Sequence, residues 1–271
     1  RRLSRCGKRA KVAESSFPIL ISAAGRRVSL MRAFREASAE LGIDGQLIAG
    51  ELSPLSSAAH LADDLCLVPR CTSDGFIPFM LELCQARGIR LIIPTIDTEL
   101  PVYAAHREAF REIGTVIPIS SPEAIAIASD KRKTHAFLVE NNLPTVRQAE
   151  ASEILASPSD FKFPMMVKPT RGSSSIGISV ADSAEALRLA REGRDVIVQS
   201  IATGDEYTVS VLVDASGRAL CAVPRQRLEV RHGEVSKGLT VRAPELEALA
   251  MRCCETLPGA YGPMNVQVFW D

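Results

Sequence analysis

The sequence predicts an α/β first half followed by an α+β second half, and three observations carry that prediction. Residues 17 to about 120 alternate short apolar runs with amphipathic stretches at helical spacing, the rhythm of a parallel sheet covered by helices. From Phe163 onward, apolar runs alternate with polar turns and only two helical stretches intervene, as in an antiparallel sheet. Length and composition, 271 residues with 46% hydrophobic and 24% charged, are globular and suffice for one large domain or two to three small ones.

In the first half, Phe17 to Ala23 is a short apolar run that reads as a buried parallel strand. Val28, Leu30, Met31, Phe34, Ala37 and Leu41 then fall at helical spacing, and Gly42 stops the helix. Strands are expected at Gln46 to Ala49, Leu65 to Val68, Leu91 to Ile93 and Thr115 to Ile117. Helices are expected over Asp74 to Arg87, with Phe76, Phe79, Met80 and Leu83 on one face, and over Thr98 to Ile113. Residues 17 to 120 thus read as a Rossmann-like unit.

Ser121-Pro122-Glu123 carries a cap residue followed by proline at the first helical position, and Asp130-Lys131 opens a second helix running to Asn141. Thr145 to Asp160 reads as a connector. Strands follow at Phe163–Lys168, Gly177–Val180, Val196–Gln199, Tyr207–Val213, Ala219–Val223, Glu234–Thr240 and Met264–Trp270, with helices at Ser183–Glu192 and Pro244–Leu257.

Net charge is zero but unevenly spread: Arg1, Arg2, Arg5, Lys8, Arg9 and Lys11 crowd the first eleven residues without an acid. A basic arm of this kind can touch nucleic acid or membrane. The reading preferred here is a disordered leader, residues 1–16, with no nucleic-acid or membrane partner. No apolar run is long enough to cross a bilayer, and no signal-type hydrophobic region follows the arm. Seven cysteines with no CxxC pair argue against a disulfide framework or zinc site and for a reducing compartment, the cytoplasm. The four histidines are scattered and none is assigned chemistry.

The stretch that carries most chemical information is Phe163 to Val180. An apolar run delivers Lys168; Thr170, Arg171, Gly172, Ser173, Ser174 and Ser175 form a turn; a second strand follows. Small residues let a backbone approach a polyphosphate, amides can face its oxygens, and Lys168 and Arg171 add charge. It is not a Walker A loop, since no Gly-Lys-Ser/Thr follows and the next segment reads as strand. In the first half, Gly25 stands alone where a dinucleotide fold needs three glycines, so NAD binding is poorly supported. Asp97 or Thr98, after the Leu91–Ile93 strand, reads as a helix cap, with substrate contact as the alternative.

Taken in order, Asp130-Lys131, KPTRGSSSIGI from Lys168, QSIATGDEYTV from Gln199, the basic residues Arg225, Arg227 and Lys237, and Gln267 in the last strand resemble the ATP-grasp superfamily. Within it, the pattern is similar to the carboxylate–amine ligases around the large subunit of carbamoyl phosphate synthetase. The resemblance covers residues 17 to 271. It implies a Rossmann-like N-terminal (pre-ATP-grasp) domain, 17–120, and an ATP-grasp domain, 121–271, built of two α+β lobes (small lobe about 130–200, large lobe about 201–271).

The resemblance also implies roles. Lys131 and Lys168 match the basic positions that hold the phosphates of ATP; Gly172, Ser173, Ser174 and Ser175 belong to the flap above them. Gln199 and the backbone of Ile201 match the adenine-reading hinge, and Glu206 the acid on the ribose hydroxyls. Arg225, Arg227 and Lys237 fall where basic groups face the transferring phosphate, and Gln267 matches a magnesium ligand. ATP with Mg2+ (Mn2+ as a substitute) is the implied cofactor. Small-molecule carboxylate and amine are the implied substrates, and self-association into a homo-oligomer is allowed. Two departures stand out: position 200 is Ser where such relatives carry Glu, and the Glu-x-Asn segment the family places after the last strand is expected beyond Asp271. The chain therefore reads as truncated, with a nucleotide-binding module lacking catalysis as the alternative to a ligase.

Overall fold

The computed structural model describes residues 16–172, 176–231 and 234–270. The basic arm and Ser173, Ser174 and Ser175 of the serine loop lie outside them. The chain divides into two compact units, one ending at Ile119 and the other beginning at Ser120.

The first unit carries β1 (Ile19–Ser22), α1 (Val28–Glu40), β2 (Leu47–Glu51), β3 (Asp64–Leu67), α2 (Phe76–Arg87), β4 (Leu91–Pro94) and α3 (Leu100–Glu112). Its sheet runs β3-β2-β1-β4, every pair parallel. Ile19, Ile21, Leu47 and Ala49 pack with Met31 and Phe34 of α1. Strand alternation turns Leu20, Ile48 and Ile92 the other way, and each is also fully buried. Both sheet faces are therefore dry, as an all-parallel sheet requires.

Three local expectations change in this unit. Thr115–Ile117 is not a strand but a single bridge of Val116 to Leu91; Pro118 offers no N–H to extend the ladder. Residues Asp97–Glu99 form one 3-10 turn, and neither Asp97 nor Thr98 caps a helix. The Thr98 hydroxyl instead accepts from the Cys71 thiol at 3.6 Å. Phe79 is 37% exposed, and Ile77 and Cys84 take its place in the core.

The second unit begins with α4 (Pro122–Ala128) and α5 (Lys131–Glu140), then β5 (Gln148–Glu150), α6 (Ala151–Ala156), β6 (Met165–Pro169), β7 (Ser179–Ala181), α7 (Ala184–Arg191) and β8 (Val196–Ser200). These strands form an antiparallel sheet ordered β5-β8-β6-β7. Met165, Val167, Val196 and Val198 pack beneath Ile154 of α6 and Leu187 of α7. The expected connector is thus a strand and a helix. Glu150 and Glu153 close a capping box around its start, a device the usual Ser/Thr signature does not reveal.

A second antiparallel sheet holds β9 (Asp205–Val213), β10 (Ala219–Arg231), β11 (Glu234–Thr240) and β12 (Gly262–Trp270), ordered β11-β10-β9-β12. Helix α8 (Pro244–Thr256) covers one face, where Leu246, Ala250 and Cys254 meet Val209, Val211 and Val213. No helix among the described residues is long and apolar enough to cross a membrane. The described cysteines are free thiols.

Candidate functional site

With Val209, Val211 and Val213 turned into the core, alternation points Glu206, Thr208 and Ser210 to the opposite face of β9. Residues directly across an antiparallel pair share that face. Thr208 therefore brings Arg225 of β10 and Gln267 of β12 beside it, and Ser210 brings Asn265, whose Oδ1 accepts from the Ser210 hydroxyl at 3.0 Å. Glu206 binds both neighbours: Oε2 lies 3.2 Å from Arg227 Nε, and Oε1 accepts from the Gln267 amide. Arg227, with only a tenth of its side chain exposed, also donates to the Thr208 hydroxyl at 3.2 Å. The result is a polar, charge-bearing face on an otherwise apolar sheet.

Lys237 stays out of this group. A bulge between Arg227 and Glu229 shifts the β10–β11 register, and the Lys237 ammonium pairs with Glu229 at 2.7 Å. Arg225 is placed by its neighbour Gly238: a Cβ added there would lie 3.0 Å from both Cγ and Cδ of Arg225 and 3.1 Å from the Gln226 carbonyl. Gly238→Ala is therefore expected to push the Arg225 stem off this face, and urea unfolding of the variant beside a circular dichroism spectrum checks what the shift costs the sheet.

On the other sheet, Met165 and Val167 fill the core, so Lys168 points to the opposite face together with Met166 and its cross-strand partner Gln199. Lys131 is brought in by α5. Asp130 caps that helix, accepting from the Arg132 N–H at 3.0 Å, while its second oxygen lies 3.5 Å from Arg171. Lys131 itself donates its backbone N–H to Thr170 and its ammonium to the Gly172 carbonyl, each at 3.0 Å. Burial first, and then the neighbouring Lys168, lowers the Lys131 ammonium below the ordinary lysine range. Burial also lowers Lys168, opposed by the attraction of Glu206. Two lysines are thus held together at the root of the loop, with the Glu206–Arg227 pair in electrostatic reach. An anion placed between them relieves both their desolvation and their repulsion.

The hinge residues are placed less freely. Gln199 donates one amide N–H to Gln148 of β5 at 2.8 Å, which leaves its second N–H and its carbonyl oxygen available. Ile201, just past β8, is 40% exposed, and its backbone N–H and C=O have no hydrogen-bond partner among the described residues.

Sequence reasoning missed a polar knot at the carboxyl edge of the first unit's sheet. Glu51 accepts from the Gly25 N–H and from the Ser56 hydroxyl, both at 2.6 Å. Arg27 donates to the carbonyls of Ala23 and Thr95. The turn where a dinucleotide fold receives pyrophosphate is thus already occupied by a carboxylate of the chain, which weighs against nucleotide binding there. Beside it Glu99, 3% exposed, accepts from Ser22 at 2.8 Å, and its Oε2 is buried without a hydrogen bond. Burial pushes the Glu99 carboxyl up to about 7, with Ser22 and Arg27 opposing. Its partner lies 77 residues away, so no local pattern signals the pair.

Residues 128–269 match the ATP-grasp domain family, and residues 19–119 match the PylC-like, N-terminal domain family. The D-alanine--D-alanine ligase of Corynebacterium diphtheriae is 36% identical over 172 residues, 56% of this chain and 46% of the relative. That of Ectopseudomonas mendocina (strain ymp) is 37% identical over 97 residues, 33% of this chain and 31% of the relative. The chain thus spans less than half the length of either.

Among solved structures, the biotin carboxylase domain of the Hydrogenobacter thermophilus 2-oxoglutarate carboxylase, determined with MgADP and bicarbonate, superposes with a TM-score of 0.70. It is 17% identical, with 92% of this chain and 60% of that one covered. The N5-carboxyaminoimidazole ribonucleotide synthetase of Thermotoga maritima gives a TM-score of 0.65 at 18% identity, covering 93% of this chain and 64% of that one. At these identities the likeness is one of fold. With its second unit matched almost end to end, over more than half of the sequence, the chain belongs to the ATP-grasp family.

Proposed function

We propose that the second unit holds ATP between its two sheets and serves an ATP-dependent carboxylate–amine ligation. The observation that carries this reading is the convergence of Lys131 and Lys168 at the loop root, each lowered by burial, with Glu206, Arg227 and Gln267 in reach. Phosphoryl transfer asks a protein for positioning and charge neutralisation more than for a nucleophile. In this reading Lys131 and Lys168 bind phosphate oxygens beside the Gly172 backbone. Ile201 offers one backbone donor and one acceptor to the adenine edge. Glu206 faces the ribose, and Arg225 and Arg227 stabilise charge on the transferring phosphoryl group. A substrate carboxylate attacks the γ-phosphorus to give an acylphosphate and ADP; an amine then displaces phosphate.

The donor set fits a magnesium ion that arrives on the nucleotide. The Gln267 amide nitrogen is turned to Glu206, which leaves its oxygen as a hard ligand, and Mg2+ bound to phosphates needs only one or two protein oxygens. When bound, the ion supplies neutralisation of phosphate charge. The test is ADP release by the full-length protein with magnesium, ATP and a panel of carboxylates paired with amines. Release that depends on both substrates supports ligation. ATP binding with no ADP release from any pair would reduce the protein to a nucleotide-binding module.

A further inference from the structure

We propose that Arg132 positions the two phosphate-facing lysines, by clasping the start of α5 to the ends of β5, β6 and β8. Its guanidinium reaches three segments at once. Nε and one Nη meet the two oxygens of Glu150 at 2.6 and 2.9 Å, the same Nη meets Asp195 at 2.8 Å and the Val196 carbonyl at 3.3 Å, and the other Nη donates to the Thr170 hydroxyl at 2.9 Å. Thr170 completes the clasp. Its carbonyl takes the Lys131 N–H at 3.0 Å, and its own N–H and hydroxyl both donate to the Asp195 carbonyl, at 3.1 and 3.2 Å.

Arg132 is therefore the chain neighbour of one lysine, and it holds the residue two positions after the other. Lys131 and Lys168 repel each other, so their closeness must be imposed from outside the pair. The clasp links the two elements that carry them, beside the Asp130–Arg171 pair and the Lys131–Gly172 bond. A stabilising role alone is a poor account of it. The arginine and Glu150 side chains are more than a third exposed, and ion pairs of that exposure add little stability. What a planar fork supplies there is fixed geometry, and lysine, with the same charge, cannot reproduce the fork.

The lysine-pairing claim stands on this geometry, and only its affinity readout rests on the nucleotide reading above. Arg132→Lys and Arg132→Ala are compared with the parent chain in two measurements. The first is the dissociation constant for MgATP. The second is the pH profile of Lys131 acylation by a trace of acetic anhydride, read by mass spectrometry. Both variants are expected to weaken MgATP on the order of tenfold, the size seen when a group orienting a ligand-bearing side chain is lost. Both should move the Lys131 profile upward, toward the ordinary lysine range, as the lysines separate.

Should Arg132→Ala fail to fold, Arg132→Lys decides, because it keeps the charge and loses only the fork. Arg132→Lys with parental MgATP affinity and an unmoved Lys131 profile overturns the proposal. If the parent chain binds no MgATP, the nucleotide reading falls and the Lys131 profile alone still decides the clasp.

Discussion

Lys168→Ala is expected to weaken ATP binding on the order of a hundredfold, equal to about 2–3 kcal/mol, the worth of a charge-assisted hydrogen bond to phosphate in a partly desolvated site. Lys168 sits half-buried on the face opposite the Met165–Val167 core, and its ammonium hydrogen-bonds to no described residue. Its charge is thus kept available at a cost of desolvation. Alanine removes that charge and leaves β6, its register with β8 and the loop unchanged. Ser174→Ala should act far more weakly, because the loop keeps its backbone amides. Equal losses from the two substitutions, measured by calorimetric titration at fixed ionic strength, would refute the placement of phosphate at the lysine pair.

Glu99→Gln is expected to remove a pH dependence of stability worth about 3 kcal/mol. The folded carboxyl titrates at about 7 against an ordinary value of 4.5. Between those values unfolding releases a proton, so stability falls as pH rises through the window and stays reduced above it. The cause is burial: at 3% exposure the ionised group has lost its water, and one of its oxygens has no replacement donor. Glutamine keeps the acceptor for Ser22 and cannot ionise. Urea unfolding at a series of pH values should show the parent chain falling relative to the variant from about pH 4.5 to 7. Parallel curves would mean that Glu99 is hydrated or paired in solution.

Much of the architecture was legible because it rests on local chemistry. The Ser121 and Asp130 caps, the Gly42 stop and the hairpin around the serine loop follow from residue types and spacing, and the structure places each as expected. What stayed hidden depends on distant partners. β5 is three residues long and exists because Gln148 and Glu150 pair with Gln199 and Ile197 of β8, about fifty positions away. Strand β10 runs on to Arg231 through a stretch of alternating charge, paired with β9 as far as Gln226 and with β11 from Arg225 to Arg231.

The candidate site divides in the same way. Lys131, Lys168, Glu206, Arg225, Arg227 and Gln267 were readable as polar residues in sequence order, and the structure carries Lys131 on α5, Lys168 on β6 and the other four on one face of the β11-β10-β9-β12 sheet. Lys237 was not separable from them in sequence, because the bulge that diverts it to Glu229 leaves no local mark. Arg132 was overlooked beside Lys131, since its partners Glu150, Thr170 and Asp195 lie 18, 38 and 63 positions away.

The central claim is that nucleotide binds the second unit through its lysine pair, and not the carboxyl edge of the first unit's sheet. The most direct measurement is calorimetric titration of the chain with MgATP and, separately, with NADH. Saturable one-to-one binding of MgATP, lost in Lys168→Ala, with no uptake of NADH, is the predicted result. NADH bound more tightly than MgATP, or MgATP binding unchanged in Lys168→Ala, would contradict it.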